Sequence, residues 1–253
     1  MTTTADTLRF TSDPQIEGRV SERSFEVIRD GKEIPGILWT PAIVDRAVPL
    51  VLMGHGGSGH KRNARMLELG IRFARDRGFA AAAIDGPGHG DRGGLTETTD
   101  PAYREIWQRP NNVADMVADW QATLDALGEL DAIDSARVGY WGMSMGTMFG
   151  MPFVAAEPRI RAAALGKAGL TGSSVDRSDI APHFRASAPN VTCPTYFHVQ
   201  WDDERFDRYS SLFLFDMLGT VEKELHTFPG LHAVTSPEAL EGSIAFLARH
   251  LTA

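Results

Sequence analysis

Short apolar runs alternate along the chain with segments in which apolar residues recur at helical spacing. The runs predict buried strands at 48–53, 79–84, 137–141, 160–165, 195–199 and 224–228. The helical patterns lie at about 66–74, 113–127, 145–156, 210–218 and 240–251. Strands alternating with helices through short connections indicate an α/β fold. We expect a mostly parallel central sheet of about eight strands with helices on both of its faces.

The first fifth of the chain has a different pattern. Two further strands, 24–28 and 34–39, flank Asp30-Gly31, which is a strong hairpin signal, so an antiparallel edge is expected there. Residues 1–20 are polar without a clear period and are predicted to form a loose N-terminal arm or part of an entry layer over the domain. No internal repeat or low-complexity linker divides residues 1–253, which predicts a single domain.

Two connections are longer than is usual between strands and helices, at 92–110 and 171–189. Loops of that length in a compact domain often form binding walls or lids. They can equally be solvated excursions without a ligand contact. Both interpretations stay open from the sequence.

Composition narrows the range of partners. The net charge is −8, without a concentrated lysine and arginine stripe, so nucleic acid and anionic membrane surfaces are disfavoured. Cys193 is the only cysteine, so an intrachain disulfide is excluded. The opening residues lack the pattern of a secretion signal, and no stretch of about 18 apolar residues is present. We expect a cytoplasmic protein, either a monomer or a homodimer.

The candidate chemistry starts at residues 142–146, which match the pattern G-x-S-x-G. The motif lies directly between a predicted strand and a predicted helix, where a sharp turn lifts a serine side chain above the sheet. Ser144 is therefore the candidate nucleophile. The N–H of Met145, at the start of the helix, is a candidate donor to the negative oxygen that forms during acyl transfer. The alternative is a glycine-rich turn whose serine only caps the helix.

A serine hydroxyl needs a base, and the base needs an acid that fixes its tautomer. His232 follows the last predicted strand and is the candidate base, whereas His226 lies inside that strand and His250 near the chain end. The acid should follow the strand at 195–199, where Asp202 and Asp203 are adjacent. Only one of the two can point inward, and the pattern alone leaves the choice open.

Five segments together resemble the α/β-hydrolase superfamily, and within it the small, capless dienelactone-hydrolase-like and acyl-esterase-like members. They are residues 55–57, 85–90, 142–146, 203 and 229–232. The resemblance covers nearly the whole chain after about residue 25. It implies the chain order of nucleophile, acid and histidine, and the spacing from Pro194 to Asp203 favours Asp203 as the acid. It also implies a second oxyanion donor at Gly57, with Ser58 as the alternative.

The chain departs from this resemblance at two positions. Dienelactone hydrolases use a cysteine nucleophile where this chain has Ser144, which argues against dienelactone as the substrate. Gln200 stands where relatives usually have a glycine.

Several neighbouring side chains are candidate pocket residues. His55, Ser58 and Trp201 are expected to border the substrate, and Lys61 and Arg62 could attract a substrate carboxylate. His89 and Asp91 are metal-binding residue types, but two candidates do not make a coordination set, so no metal is predicted. No cofactor is expected either.

These observations predict a serine hydrolase that cleaves a carboxylic ester of a small molecule through an acyl-enzyme. A peptidase, an amidase or an acyltransferase can use the same three side chains, and sequence motifs do not separate them. A ligand-binding protein that keeps the fold without catalysis is the alternative from another class.

Overall fold

A ten-stranded sheet forms the centre of the computed structural model, which describes residues 7–252. The strands are β1 (Thr7–Phe10), β2 (Gln15–Glu17), β3 (Val20–Arg29), β4 (Lys32–Pro41), β5 (Val48–Gly54), β6 (Ala80–Ile84), β7 (Ile133–Gly142), β8 (Ile160–Gly166), β9 (Thr195–Gln200) and β10 (Lys223–Phe228). Their order across the sheet is β1-β3-β4-β6-β5-β7-β8-β9-β10, with β2 paired to β3. The pairs from β6 through β10 are parallel, and those that involve β1 to β4 are antiparallel.

Helices connect the parallel strands. They are α1 (Ala64–Arg72), α2 (Pro101–Gln108), α3 (Asn112–Gly128), α4 (Met145–Ala156), α5 (Ser173–Ser178), α6 (Ala181–Ser187), α7 (Arg208–Met217) and α8 (Pro237–Thr252). A π-helical turn at Phe73–Arg77 extends α1. None of the helices within residues 7–252 combines the length and apolar character needed to cross a bilayer.

The central strands are apolar on both faces because helices cover both faces. In β5, Leu50 and Leu52 pack with Trp120 of α3 in one buried cluster, whereas Val51 and Met53 belong to a second cluster. The second cluster contains most of the buried apolar side chains of α1 and α8. Successive side chains of a strand point to opposite faces, so the two clusters lie on opposite sides of the sheet. The predicted α/β fold is confirmed in this respect.

Residues 7–20 of the predicted N-terminal arm contain two strands that the sequence pattern did not predict. β1 and β2 both pair with β3, which brings the strand count to ten instead of about eight. These edge strands are held by backbone pairing and bury little side-chain surface, so their apolar pattern is weak. Residues 1–6 of the predicted arm lie outside the described residues.

Both long connections contain helices that the apolar periodicity did not predict. In the first, Asp100 caps α2 by accepting the N–H of Ala102, and Pro101 occupies the first turn. The second contains α5 and α6. Helices of six to eight residues are too short to produce a clear period in the sequence.

Candidate active site

Ser144 lies on the sharp turn between β7 and α4, at the C-terminal edge of the sheet. Its backbone has φ 59° and ψ −120°, a conformation that is costly for a residue with a side chain. The glycines on either side make the turn sterically possible. A Cβ on Gly146 would lie 2.3 Å from the Gly54 oxygen, and one on Gly142 would lie 2.6 Å from the Gly146 oxygen.

The turn is bound to the neighbouring strand β8. The Ser144 N–H donates to the Gly166 oxygen at 3.0 Å. Thr147 Oγ1 accepts the Gly166 N–H and donates to the Gly142 oxygen, each at 2.8 Å. These bonds fix the strained serine relative to the end of β8.

His232 brings an imidazole to the serine from the loop after β10. Its Nε2 lies 2.9 Å from Ser144 Oγ, and its Nδ1 lies 2.8 Å from Asp203 Oδ2. Because a carboxylate accepts from Nδ1–H, the Nε2 atom is left free to accept the serine proton. The ring is almost fully buried.

Asp203, and not the adjacent Asp202, faces the histidine. Its Oδ1 accepts the N–H groups of Arg205 and Phe206 at 2.8 and 3.1 Å. Burial raises the pKa of Asp203, but the hydrogen bonds to His232 and the two amides outweigh burial and hold the pKa below its ordinary value. Asp202 points elsewhere and accepts the N–H of Gly230 at 3.0 Å.

The loop that carries His232 is held by side chains for which the sequence predicted no such role. Glu204 Oε2 accepts the His232 N–H at 2.8 Å, and Gln200 Nε2 donates to the Pro229 oxygen at 2.6 Å. Lys167 Nζ donates to the His232 oxygen at 2.8 Å. A lysine directly after a buried strand was the sequence signal that could have drawn attention to Lys167.

The two predicted oxyanion donors, Met145 and Gly57, lie at the start of α4 and in the loop after β5. Met145 is the first residue of α4, so its N–H has no acceptor one turn earlier in the helix. Gly57 lies in the loop after β5 and borders the same cavity as Ser144. His89 Nε2–H donates to the Gly57 oxygen at 2.9 Å, which ties that loop to the loop after β6.

A cavity of about 360 Å³ opens beside Ser144 and His232. Ser58, one of the candidate pocket residues, borders it. The cations that border it are Arg65, Lys167 and Arg205, and no carboxylate is among the described lining residues. The protein as a whole is acidic, so this cavity differs in charge from the rest of the molecule.

Two of the predicted pocket residues do not border this cavity. The buried His55 accepts the Gly86 N–H on Nε2 and donates from Nδ1 to the Gly56 oxygen, both at 2.8 Å. Burial lowers the pKa of His55 to about 4, so the neutral ring acts as a support for the glycine-rich loop. Trp201 is 45% exposed and stacks against the guanidinium of Arg208.

Lys61 and Arg62 do not border this cavity either, and both are paired with carboxylates of the chain itself. Lys61 is buried and its Nζ is bound by the carboxylates of Asp85 and Asp91. Arg62 forms an ion pair with Glu22 at 2.8 Å. These carboxylate partners come from other loops and strands, so the local sequence does not reveal them.

The fold and the comparisons with known proteins define the chain as a serine hydrolase with the α/β-hydrolase fold. The sequence profile of the prolyl oligopeptidase family matches residues 66–227, and the chain belongs to that family. The predicted resemblance to the α/β-hydrolase superfamily is thereby confirmed.

Three similar proteins are informative. A cold-adapted esterase from an Arctic intertidal metagenomic library, in a PEG-bound complex, is 36% identical, with 96% of this chain and 99% of that chain covered and a TM-score of 0.85. A putative dienelactone hydrolase from Klebsiella pneumoniae shares the fold at 17% identity, with 93% and 99% covered and a TM-score of 0.75. The 2,6-dihydropseudooxynicotine hydrolase of Paenarthrobacter nicotinovorans is 26% identical over 137 residues, which are 54% of this chain and 32% of that protein. The chain thus spans about a third of this last relative's length.

Proposed function

We propose that the protein hydrolyses a carboxylic ester of a small molecule through an acyl-enzyme on Ser144. The observation that carries the proposal is the continuous chain of hydrogen bonds from Ser144 Oγ through His232 to Asp203. The similarity to an esterase over almost the entire chain supports an ester in preference to other acyl compounds.

In this mechanism, Ser144 Oγ attacks the acyl carbon while His232 Nε2 takes its proton. The N–H groups of Met145 and Gly57 stabilise the oxyanion of the tetrahedral intermediate. The imidazolium then gives the proton to the leaving alcohol, and a water activated by the same histidine releases the acid. Asp203 stays ionised throughout and stabilises the imidazolium, which its lowered pKa allows.

The test of the nucleophile is Ser144→Ala assayed with p-nitrophenyl acetate and with a fluorophosphonate probe. We expect loss of nearly all turnover and of all labelling, because no other group would attack the acyl carbon. Ser135→Ala, an exposed serine on the same strand β7, is the matched control and should retain both. A folded Ser144→Ala protein that keeps most of its turnover would reject the proposal.

A peptidase is the second candidate, because the chain belongs to a family that is named after prolyl oligopeptidase. The same three side chains can cleave esters and amides, so the comparison requires substrates that share one acyl group and differ in the leaving group. A higher kcat/KM for peptidyl p-nitroanilides than for the matching p-nitrophenyl esters would favour the peptidase.

A further inference from the structure

Lys167 occupies an unusual place beside the candidate active site. It follows β8 directly and adopts a left-handed backbone with φ 49°, after Gly166 with φ 147°. Its side chain borders the cavity beside Ser144, yet the residue is only 5% exposed. A buried lysine in a strained backbone conformation is costly unless its ammonium group is well bound.

All three N–H bonds of the ammonium group have an acceptor on the histidine loop, residues 232–235. Nζ donates to the His232 oxygen at 2.8 Å, the Val234 oxygen at 2.6 Å and Thr235 Oγ1 at 2.7 Å. The neighbouring Gly166 oxygen accepts the Ser144 N–H. Two adjacent residues at the end of β8 therefore hold the loop of the nucleophile and the loop of the base.

We propose that Lys167 is a positioning residue for the hydrolysis proposed above: its ammonium group holds the histidine loop where His232 reaches Ser144. The inference rests on the proposed function. Lys167 acts through the backbone of the loop and through Thr235, and its donors are fully used by these acceptors. A direct contact with the substrate is therefore not its role.

The charge of the group is essential to this role. A neutral amine has two N–H bonds and would turn a lone pair toward one of three oxygen acceptors. Burial lowers the pKa of Lys167 to about 8, helped by the cation of Arg65 on α1 and opposed by Asp203 and Glu204 in the loop after β9. His198 of β9 and His232 are the other titratable groups that face it.

Deprotonation of Lys167 should change the activity and the free energy of unfolding in opposite directions. Above about pH 8 the ammonium loses its proton and the histidine loop loses one of its three bonds, so hydrolysis should decline. The unfolded chain, in which lysine keeps its ordinary pKa of 10.5, then binds more protons than the folded chain. The contribution of this group to the free energy of unfolding therefore rises over that range, and the fold should persist while activity falls.

The experiment compares the wild type with Lys167→Met and Lys167→Arg. For each, kcat and KM with p-nitrophenyl acetate and the rate constant for fluorophosphonate labelling of Ser144 are measured between about pH 6 and 10. Thermal unfolding at the same pH values monitors the fold. For Lys167→Met we expect kcat and the labelling rate to fall about 10- to 100-fold, with KM changed less than about threefold, because a displaced base slows the proton transfer.

Lys167→Arg keeps a permanent charge and several donors. It should recover most of the activity at neutral pH, and its activity should persist above about pH 9, where that of the wild type declines. If Lys167→Met fails to fold, this difference between the two alkaline profiles is the deciding result.

Three results would overturn the inference. The first is a Lys167→Met protein with the kcat and labelling rate of the wild type, and the second is a Lys167→Met protein in which only KM increases. The third is an equal loss of activity in Lys167→Met and Lys167→Arg, with the alkaline pH profile of Lys167→Arg the same as that of the wild type. Labelling without ester hydrolysis in the wild type would reject the proposed substrate class only, since the ratio of labelling rates still decides the role of Lys167. A wild-type protein that neither labels nor hydrolyses would reject both proposals.

Discussion

The adjacent carboxylates Asp202 and Asp203 provide a matched test of the proposed mechanism. Asp203 Oδ2 lies 2.8 Å from His232 Nδ1, and its Oδ1 accepts two backbone N–H groups. In Asp203→Asn, the amide oxygen can still accept from the backbone, so the amide nitrogen must face His232. It then donates to Nδ1 and forces the proton of the ring onto Nε2.

A histidine with a proton on Nε2 cannot accept the proton of Ser144. We therefore expect kcat of Asp203→Asn to fall by about 10⁴-fold, which corresponds to about 5 kcal/mol in the barrier. Asp202 accepts one N–H, from Gly230, and an asparagine there keeps that bond. Asp202→Asn should therefore remain within about threefold of the wild type.

The assay is initial-rate hydrolysis of p-nitrophenyl acetate at neutral pH, with circular dichroism and thermal unfolding as checks on the fold. The two variants differ from the wild type by the same change of one carboxylate to an amide, one residue apart. A folded Asp203→Asn that keeps more than about a tenth of the wild-type kcat, or a larger loss in Asp202→Asn, would contradict the role of Asp203.

Three further predictions follow from other contacts. Gly57→Ala should lower kcat about 10- to 100-fold, because a Cβ would lie 2.7 Å from the Tyr103 hydroxyl and displace the oxyanion loop; unchanged kinetics would contradict this. Trp120→Ala should reduce the free energy of unfolding by about 3–5 kcal/mol in denaturant titrations, since the fully buried ring packs in the core beneath α3. The free energy of unfolding should fall between pH 6.5 and about 4, because His55 and His198 stay neutral when folded while the unfolded chain takes up protons. A flat melting temperature over that range would be inconsistent with their burial.

Much of the fold could be predicted because the burial of a strand or helix determines the spacing of the apolar residues within it. The run at Val48–Gly54 is apolar throughout because helices cover both faces of β5, and the period of α3 reports its single buried stripe. The edge strands β1 and β2 and the short helix α2 were not predicted. Their stability comes from backbone pairing, a cap and a few contacts, which produce little periodicity.

Part of the candidate site was also predictable from local sequence, whereas other residues of the site depend on distant partners. The pattern at 142–146 depends on steric requirements that are local, namely the strained Ser144 and the two glycines beside it. The roles of His55 and Lys61 could not be predicted from their neighbours in the sequence. Both are determined by partners about 24 to 31 residues away, Asp85 and Gly86.

The sequence by itself determined the alternation of strands and helices, the position of the serine on its turn, and the loop on which the histidine lies. Each of these features is a property of neighbouring residues, set by backbone sterics and by the period of burial. Only the tertiary structure decided that Asp203 and not Asp202 faces the histidine, and that Lys167 holds the histidine loop. These contacts join residues 29 and 65 positions apart, respectively, so they depend on the path of the whole chain.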